Sequence, residues 1–191
     1  NEPDQSYGGA VWIDAVPQLT GANIPFVIRL RVVLLRDTGA PLAPFNAWQI
    51  IQGLETVGLR MKQHCSNAEK VVSFLETQKK VKNVIYPTNH QGEIKERAKK
   101  YMQGGYGSLV GMDVGTKENG AKFIDNLKML YHVANIGDAR SLAIHPATTT
   151  HSQLNEKELL AAGVTPGYVR LSIGIEHPDD IIADIKQALA A

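Results

Sequence analysis

The sequence predicts an α/β protein in which a long helical region leads into a small sheet-containing domain. This prediction rests on three observations. Apolar strand-like segments alternate with helical segments over roughly residues 81–191, whereas residues 23–80 show helical spacing of apolar side chains. The chain has 191 residues, of which 43% are hydrophobic and 20% charged. A chain of this size and composition can bury a core without disulfides or metal ions.

The charge balance and composition exclude several classes of function. Twenty Lys and Arg against 19 Asp and Glu give a net charge of +1, so no overall positive field is available to hold nucleic acid or an anionic membrane. No stretch approaches the roughly 18 consecutive apolar residues of a transmembrane helix, and the acidic, polar start does not resemble a signal peptide. The single cysteine, Cys65, excludes an internal disulfide framework and is typical of a reducing cytoplasm.

The first elements are an arm and a helix. Residues 1–22 contain three glycines, two prolines and little periodicity, which predicts an irregular arm. A helix is expected next, because Asn23 can cap its first turn and Pro25 fits an early helical position. Gly39 marks the expected end of this helix, since glycine readily takes the left-handed conformation that follows many helices.

A second and longer helical stretch is expected from residue 45 to about residue 78. Pro44 precedes it and separates it from the first helix. Gly53 and Gly58 lie inside the stretch and lower its helix propensity, so a bend or close packing is expected there.

The remaining chain predicts four strands separated by helices. The strand-like segments are rich in β-branched and apolar residues, Gly163 stops one helix, and the polar run from His177 opens the last one. Strands are expected at 81–86, 108–114, 140–145 and 168–175, and helices at 93–100, 119–130, 154–162 and 181–190. This alternation predicts a compact α/β sandwich.

Arg170 is the most informative single residue. It lies in the segment YVRLSIGI with apolar neighbours on both sides, so we expect its guanidinium to be partly buried. Arginines in such places usually bind a carboxylate or a phosphate through paired hydrogen bonds. From the residues alone two interpretations stay open, an internal ion pair with Asp138 or Glu176 and a site for an anionic ligand.

The three histidines His132, His145 and His151 fall in the same part of the chain. A metal site needs converging ligands, and the sequence has no HxH, HExxH or CxxC spacing. We interpret these histidines as hydrogen-bonded core or loop residues and predict no metal ion.

Other motifs have structural interpretations. The threonines at 148–150 could cap the following helix or bond a ligand, and capping is the usual role. The glycine pairs at 8–9 and 104–105 lack the strand-to-helix setting of a phosphate loop. The basic segment 95–100 is most simply a solvated helix face, and Cys65, next to His64, is most simply a free packed thiol.

Three long strings occur in order along the chain: LRDTGAPLAPFNAWQIIQGLETVGLRMKQH, ANIGDARSLAIHPATTTHSQL and GVTPGYVRLSIGIEHPDDIIADIKQAL. Together they resemble the C-terminal portion of the Cys/Met-metabolism pyridoxal-phosphate (PLP) enzymes, and within that family most closely the O-acetylhomoserine sulfhydrylase branch. The resemblance covers essentially the whole chain.

The resemblance implies the C-terminal part of a type I PLP-transferase fold. Residues 1–44 would form an arm and the end of the large catalytic domain, 45–80 a linking helix, and 81–191 a small domain with a mainly antiparallel sheet. It also implies a cytoplasmic homotetramer that acts in methionine biosynthesis. The implied reaction converts O-acetylhomoserine and sulfide into homocysteine and acetate.

The resemblance also implies roles for three residues in binding the amino-acid substrate. The family's arginine that holds the substrate α-carboxylate matches Arg170. Asn135 stands where the related γ-lyases have a serine that contacts the same carboxylate, and Thr150 matches a family threonine near that site. An arginine and an amide together suit a carboxylate, because both can donate to its oxygens.

The sequence departs from the family in one important respect. The Schiff-base lysine of the family lies in a Ser-x-Thr-Lys motif, which this sequence lacks, and the nearest string is Gly115-Thr116-Lys117 in the small domain. The lysine, the phosphate loop and the partner of the pyridine nitrogen belong to the family's N-terminal half. An aldimine needs its lysine, so we expect this chain alone to bind no PLP covalently and to be inactive. Its expected partner is the missing N-terminal half.

Two alternative functions remain. The chain could belong to a cystathionine or methionine γ-lyase or γ-synthase on the same scaffold, although Asn135 and the string TTTHSQL argue against it. It could also be a non-catalytic oligomerisation or binding module.

Overall fold

The computed structural model describes residues 2–191, so Asn1, the first residue of the predicted arm, lies outside the described residues. Two compact units can be distinguished, one ending at Gly53 and the other spanning Leu54–Ala191. The helices in the described range are α1 (Trp12–Thr20), α2 (Pro25–Thr38), α3 (Pro44–Glu55), α4 (Val57–Glu76), α5 (Gly92–Tyr101), α6 (Lys117–Asp125), α7 (Glu156–Ala161) and α8 (Pro178–Ala190). The strands are β1 (Asn83–Ile85), β2 (Leu109–Asp113), β3 (Tyr131–His132), β4 (Leu142–Ile144) and β5 (Tyr168–Ser172).

Helix α1 lies inside the segment for which the sequence predicts an irregular arm, and that prediction is wrong for residues 12–20. Pro17 inside the helix lowers its intrinsic propensity, so tertiary contacts have to order it. Asp4 accepts a hydrogen bond from the indole nitrogen of Trp12 at 2.9 Å. The ring of Tyr7 packs edge-on against the Trp12 ring, with centroids 4.8 Å apart.

Helix α2 begins and ends close to the predicted residues. Pro25 takes the first helical position, which leaves Ile24 at the cap, so the prediction that Asn23 caps this helix is wrong. The middle of the helix, Leu30–Leu35, has π-helical hydrogen bonding. The predicted end is confirmed, because Gly39 takes the left-handed conformation with φ of 60°.

The predicted long helix is divided into α3 and α4. Thr56 interrupts it with a φ of −108° and a ψ of 3°, and helical geometry resumes at Val57. The interruption falls between Gly53 and Gly58, the positions at which the sequence predicts a bend.

The five strands form one sheet in the order β1-β2-β5-β4-β3. Three of the four pairings are antiparallel and only β3 with β4 is parallel, which confirms the α/β fold with a mainly antiparallel sheet. The four predicted strands are all present but shorter. Strand β3 escapes prediction because Tyr131 and His132 are too few to show an alternation.

Strand β5 is central and its two faces differ. Val169 and Leu171, and Ile173 just beyond the strand, are fully buried on one face. That face packs on the apolar sides of α4, α6 and α8, including Val71, Leu75, Phe123, Ile181 and Ile185. Successive side chains in a strand point to opposite faces, so Tyr168, Arg170 and Ser172 lie on the other face.

No single helix in residues 2–191 is long and apolar enough to cross a membrane. Taken together, α1 and α2 reach the necessary length and composition, but they meet at an angle of 99°.

Candidate functional site

Arg170 lies in the middle of β5, on the face of the sheet that does not contact the core helices. It is paired with Gly111 of β2 on one side and with Ile144 of β4 on the other. Its side chain is half-buried, as the sequence predicts, and its Nη2 donates a hydrogen bond of 3.4 Å to the backbone carbonyl of Asn135. The face of the sheet and the loop after β3 therefore meet at this guanidinium.

Neither internal ion pair considered from the sequence is formed. Both carboxylate oxygens of Glu176 accept hydrogen bonds from Ser141, at 2.6 and 2.9 Å. A carboxylate oxygen of Asp138 accepts from the backbone N–H of Arg140 at 3.0 Å. Within residues 2–191, Arg170 takes part in no salt bridge. Its positive charge is therefore available to an anionic ligand.

Tyr168 lies two residues before Arg170 on the same face, and the charge of Arg170 affects the pKa of its hydroxyl. Burial raises the pKa of the Tyr168 hydroxyl, and the nearby positive charge of Arg170 offsets part of the increase. The phenol is therefore neutral at physiological pH. It does not compensate the positive charge of Arg170.

Asn135 reaches Arg170 through its backbone and not through its amide. Its side-chain Oδ1 accepts a hydrogen bond of 2.9 Å from the backbone N–H of Ile136. The residue is exposed, so the amide nitrogen is accessible while the carbonyl faces the guanidinium. The structure thus brings together two of the three predicted site residues.

Thr150 is exposed, and its hydroxyl bonds the ring nitrogen Nδ1 of His151 at 2.9 Å. No hydrogen bond joins it to Arg170 or Asn135 in the described part of the chain. The predicted capping role of the threonine run is wrong, because Asn155 caps α7 in a reciprocal arrangement with Glu158.

The predicted structural role agrees with the contacts of His145. His145 is fully buried, its Nε2 donates to the carbonyl of Pro166 at 2.8 Å, and its Nδ1 contacts the hydroxyl of Thr148 at 2.9 Å. Burial lowers the pKa of His145, which favours the neutral ring. Among the described residues no group of three His, Cys, Asp or Glu side chains is arranged to hold a metal ion.

Gly105, in the glycine pair at 104–105, packs closely against Cys65. Gly105 has a φ of 145°, and a Cβ built there would lie 2.7 Å from both Cβ and Sγ of the buried Cys65. This contact agrees with the interpretation of Cys65 as a packed thiol.

Sequence reasoning missed a polar cluster around the end of β5. Its members are Ser141, Gly174 and Glu176, joined by three hydrogen bonds of 2.6 to 2.9 Å. From helix α4, His64 and Asn67 contact the backbone of the same segment. Only Glu176 carries a signal in the sequence, as a carboxylate close to Arg170 along the chain.

The comparisons with known proteins point to one enzyme family. The family model described as Cys/Met metabolism PLP-dependent enzyme matches residues 9–190. The O-acetyl-L-homoserine sulfhydrylase of Leptospira meyeri is 48% identical over 193 residues, which cover 98% of this chain and 44% of that protein. O-acetyl-L-homoserine sulfhydrylase 1 of Thermus thermophilus is 42% identical over 190 residues, which cover 99% of this chain and 44% of that protein.

A solved structure shows the same fold. The crystal structure of a candidate O-acetylhomoserine (thiol)-lyase from Campylobacter jejuni, which contains N'-pyridoxyl-lysine-5'-monophosphate, matches with a TM-score of 0.85 and 43% identity. The match covers 100% of this chain and 44% of the other. The chain therefore spans about 44% of the length of these proteins.

Proposed function

The chain belongs to the Cys/Met metabolism PLP-dependent enzymes, and we propose on this premise that it is part of an O-acetylhomoserine sulfhydrylase. The complete enzyme would convert O-acetylhomoserine and sulfide into homocysteine and acetate. Within that enzyme, this chain would supply the site that binds the α-carboxylate of the amino-acid substrate. The relatives named O-acetyl-L-homoserine sulfhydrylase support the choice of reaction.

The observation that carries the proposal is the state of Arg170. Its guanidinium is half-buried, is oriented by the Asn135 carbonyl, and forms no ion pair within residues 2–191. A planar guanidinium offers two parallel N–H groups that match the two oxygens of a carboxylate. Partial burial strengthens this attraction, because the surrounding dielectric is lower than that of water.

Two neighbouring residues would complete the carboxylate site. The exposed amide of Asn135 can donate to a carboxylate held at Arg170 after a side-chain rotation that releases its own Oδ1 bond. Thr150, whose hydroxyl already contacts His151, would approach the same region in the complete enzyme. Asn135 in place of the serine of the γ-lyases favours the sulfhydrylase over the lyases.

The residues gathered at Arg170 do not fit PLP itself. When bound, this cofactor supplies the electron sink for replacement chemistry at the substrate carbon. Its aldehyde needs a lysine amine and its phosphate a cradle of backbone N–H groups. Among the described residues, the contacts of Arg170 provide a guanidinium and a loop carbonyl, a set suited to a carboxylate. We therefore assign the substrate to this chain and the cofactor to the remaining part of the enzyme.

The remaining part of the enzyme would also cover apolar surface on this chain. Large side chains of α2 and α3 are exposed, including Phe26, Phe45 and Trp48 at 78%, 64% and 54%. Exposed apolar area of this extent favours association.

We propose that residues 1–44 complete the large domain, 45–80 link the domains and 81–191 form the small domain of a cytoplasmic homotetramer.

The experiment that tests the reaction uses the complete enzyme. Incubation with O-acetylhomoserine and sulfide should release homocysteine and acetate in equal amounts. Production of a keto acid and ammonia from cystathionine or methionine, without homocysteine synthesis, would instead indicate a γ-lyase. Homocysteine formed from O-acetylhomoserine only with cysteine as the sulfur source, by way of cystathionine, would contradict the choice of sulfide.

A further inference from the structure

Glu176 connects the segment after β5 to the segment before β4. Its Oε1 accepts the backbone N–H of Ser141 at 2.6 Å, and its Oε2 accepts the hydroxyl of the same residue at 2.9 Å. The Ser141 hydroxyl in turn accepts the backbone N–H of Gly174 at 2.8 Å. Ser141 is fully buried and Glu176 partly buried, so the bond between Ser141 and Gly174 is shielded from water and the two bonds to the carboxylate are partly shielded. Hydrogen bonds to a charged group are stronger than neutral ones.

The loop at residues 133–140, which contains Asn135, ends at this cluster. The backbone N–H of Ile175 donates to the carbonyl of Ala139 at 2.9 Å, and Tyr131 N–H donates to the carbonyl of Ser141 at 3.1 Å. The loop is thus held at both ends, by β3 on one side and by the segment that follows β5 on the other.

The cluster is tightly packed around Gly174. A Cβ built there would overlap Oε2 of Glu176 and would lie 2.5 Å from both the carbonyl oxygen of Ala139 and the backbone nitrogen of Ser141. Only a glycine lets the Glu176 side chain fold back onto Ser141. The position of the carboxylate is therefore determined by the backbone.

Helix α4 holds the same backbone from the other side. His64 Nδ1 donates to the carbonyl of Ile173 at 2.6 Å, which requires the tautomer with a proton on Nδ1. Asn67 Nδ2 donates to the carbonyls of Gly174 and Glu176 at 3.0 and 2.8 Å. Both helix residues are fully buried. These bonds fix the backbone from which the Glu176 side chain extends.

We propose that Glu176, acting through Ser141, is a positioning residue for the carboxylate site at Arg170. It fixes the loop that presents the backbone carbonyl of Asn135 to the guanidinium. Because its own carboxylate is engaged by Ser141, it also does not compete with the substrate for Arg170. This inference rests on the proposed function, since it requires Arg170 to bind the substrate carboxylate.

The test uses the complete enzyme with Glu176→Gln, Ser141→Ala and the control Glu156→Gln. Glu156 is an exposed carboxylate in the first turn of α7, so its substitution should change nothing. Both cluster variants should raise the KM for O-acetylhomoserine about 2- to 10-fold, the change expected for the loss of one net hydrogen bond. The KM for sulfide and the absorbance of bound cofactor should stay at their normal values. An unchanged KM for O-acetylhomoserine together with a lower melting temperature would reduce Glu176 to a structural role and overturn the inference.

A double-mutant comparison separates this inference from the proposed function. If Glu176 acts through the Arg170 site, Glu176→Gln should change the KM less than about twofold when Arg170→Ala is already present. An equal rise with and without Arg170 would overturn the positioning role. If Arg170→Ala alone leaves the KM for O-acetylhomoserine unchanged, the proposed function itself fails. Ser141→Ala removes one hydroxyl and keeps the backbone donor, so it provides the test if Glu176→Gln does not fold.

Discussion

The Nη2 atom of Arg170 lies 3.4 Å from the backbone carbonyl oxygen of Asn135, a residue 35 positions earlier in the chain. This contact orients the guanidinium without neutralising it, because a carbonyl carries no net charge. An internal carboxylate in the same place would have formed an ion pair and occupied the N–H groups of the arginine. The carbonyl therefore leaves Arg170 oriented but still attractive to an anion.

The contribution of Asp184 to the stability of the fold should be lost in acid. Burial by itself would raise the pKa of this carboxyl, but hydrogen bonds from the backbone N–H groups of Leu130, Met129 and Lys128, and from Gln187, lower the pKa below its ordinary value. The pKa is thus lower in the folded than in the unfolded chain. The resulting stabilisation is complete above the unfolded pKa of about 3.9 and is lost as the pH falls through the folded pKa.

The measurement for Asp184 is thermal unfolding of Asp184→Asn in the complete enzyme. The amide places a donor among N–H groups that need an acceptor, so the variant should lose about 1–3 kcal/mol at pH 7. The loss should shrink as the pH falls below about 4. Asp125→Asn, an exposed carboxylate at the end of α6, should show neither effect. A constant difference at all pH values would contradict the charge-based explanation.

Gly120→Ala should be strongly destabilising through a single steric contact. A Cβ there would overlap the imidazole of the buried His145, whose ring cannot move without losing its bond to the Pro166 carbonyl. Overpacking of this kind costs about 1–3 kcal/mol. In a His145→Ala background the same substitution should cost much less, because the obstructing ring is gone. Equal costs in both backgrounds, measured by thermal unfolding, would show that His145 is not the cause.

The isolated 191-residue chain should self-associate or be poorly soluble. Its exposed aromatic residues Phe26, Phe45 and Trp48 would be covered by the remaining part of the complete enzyme, and alone they favour contact with another apolar surface. Sedimentation velocity should show oligomers at high concentration. Replacing Phe26 and Trp48 by Gln should shift the distribution toward monomer. A clean monomer of the unmodified chain would contradict this expectation.

The isolated chain should form no covalent adduct with PLP at a specific lysine. The sequence lacks a Ser-x-Thr-Lys motif, and Lys117, which follows Gly115 and Thr116, begins helix α6. After incubation with PLP and reduction with borohydride, peptide mapping should show only scattered, substoichiometric labelling. Stoichiometric labelling of one lysine would contradict this prediction.

Local sequence patterns were sufficient for the parts of the fold that depend on periodicity and on special residues. The apolar alternation of Val169 and Leu171 predicts the central strand, and Gly39 and Gly163 mark helix ends that the structure contains. Helix α1 was missed because its stability depends on tertiary contacts such as that between Asp4 and Trp12, which no local window contains.

The candidate site was only partly predictable for the same reason. The half-burial of Arg170 follows from its strand, but the choice between ion pair and ligand depends on where Glu176 points. That direction is decided by Ser141, 35 residues away, and by the absence of a side chain at Gly174. Contacts between residues so far apart in the chain leave no periodic signal in the sequence.

The most direct test of the account is the kinetics of Arg170→Lys and Arg170→Ala in the complete enzyme. Lysine keeps the charge but loses the planar fork, and one charge-assisted hydrogen bond is worth about 1.5–3 kcal/mol, so kcat/KM for O-acetylhomoserine should fall roughly 10- to 150-fold. Alanine should cost more, and Asn135→Ala less, while the absorbance of bound cofactor stays normal in all three. If Arg170→Ala instead leaves the kinetics intact and only lowers the melting temperature, Arg170 is a structural residue and the carboxylate site does not lie on β5.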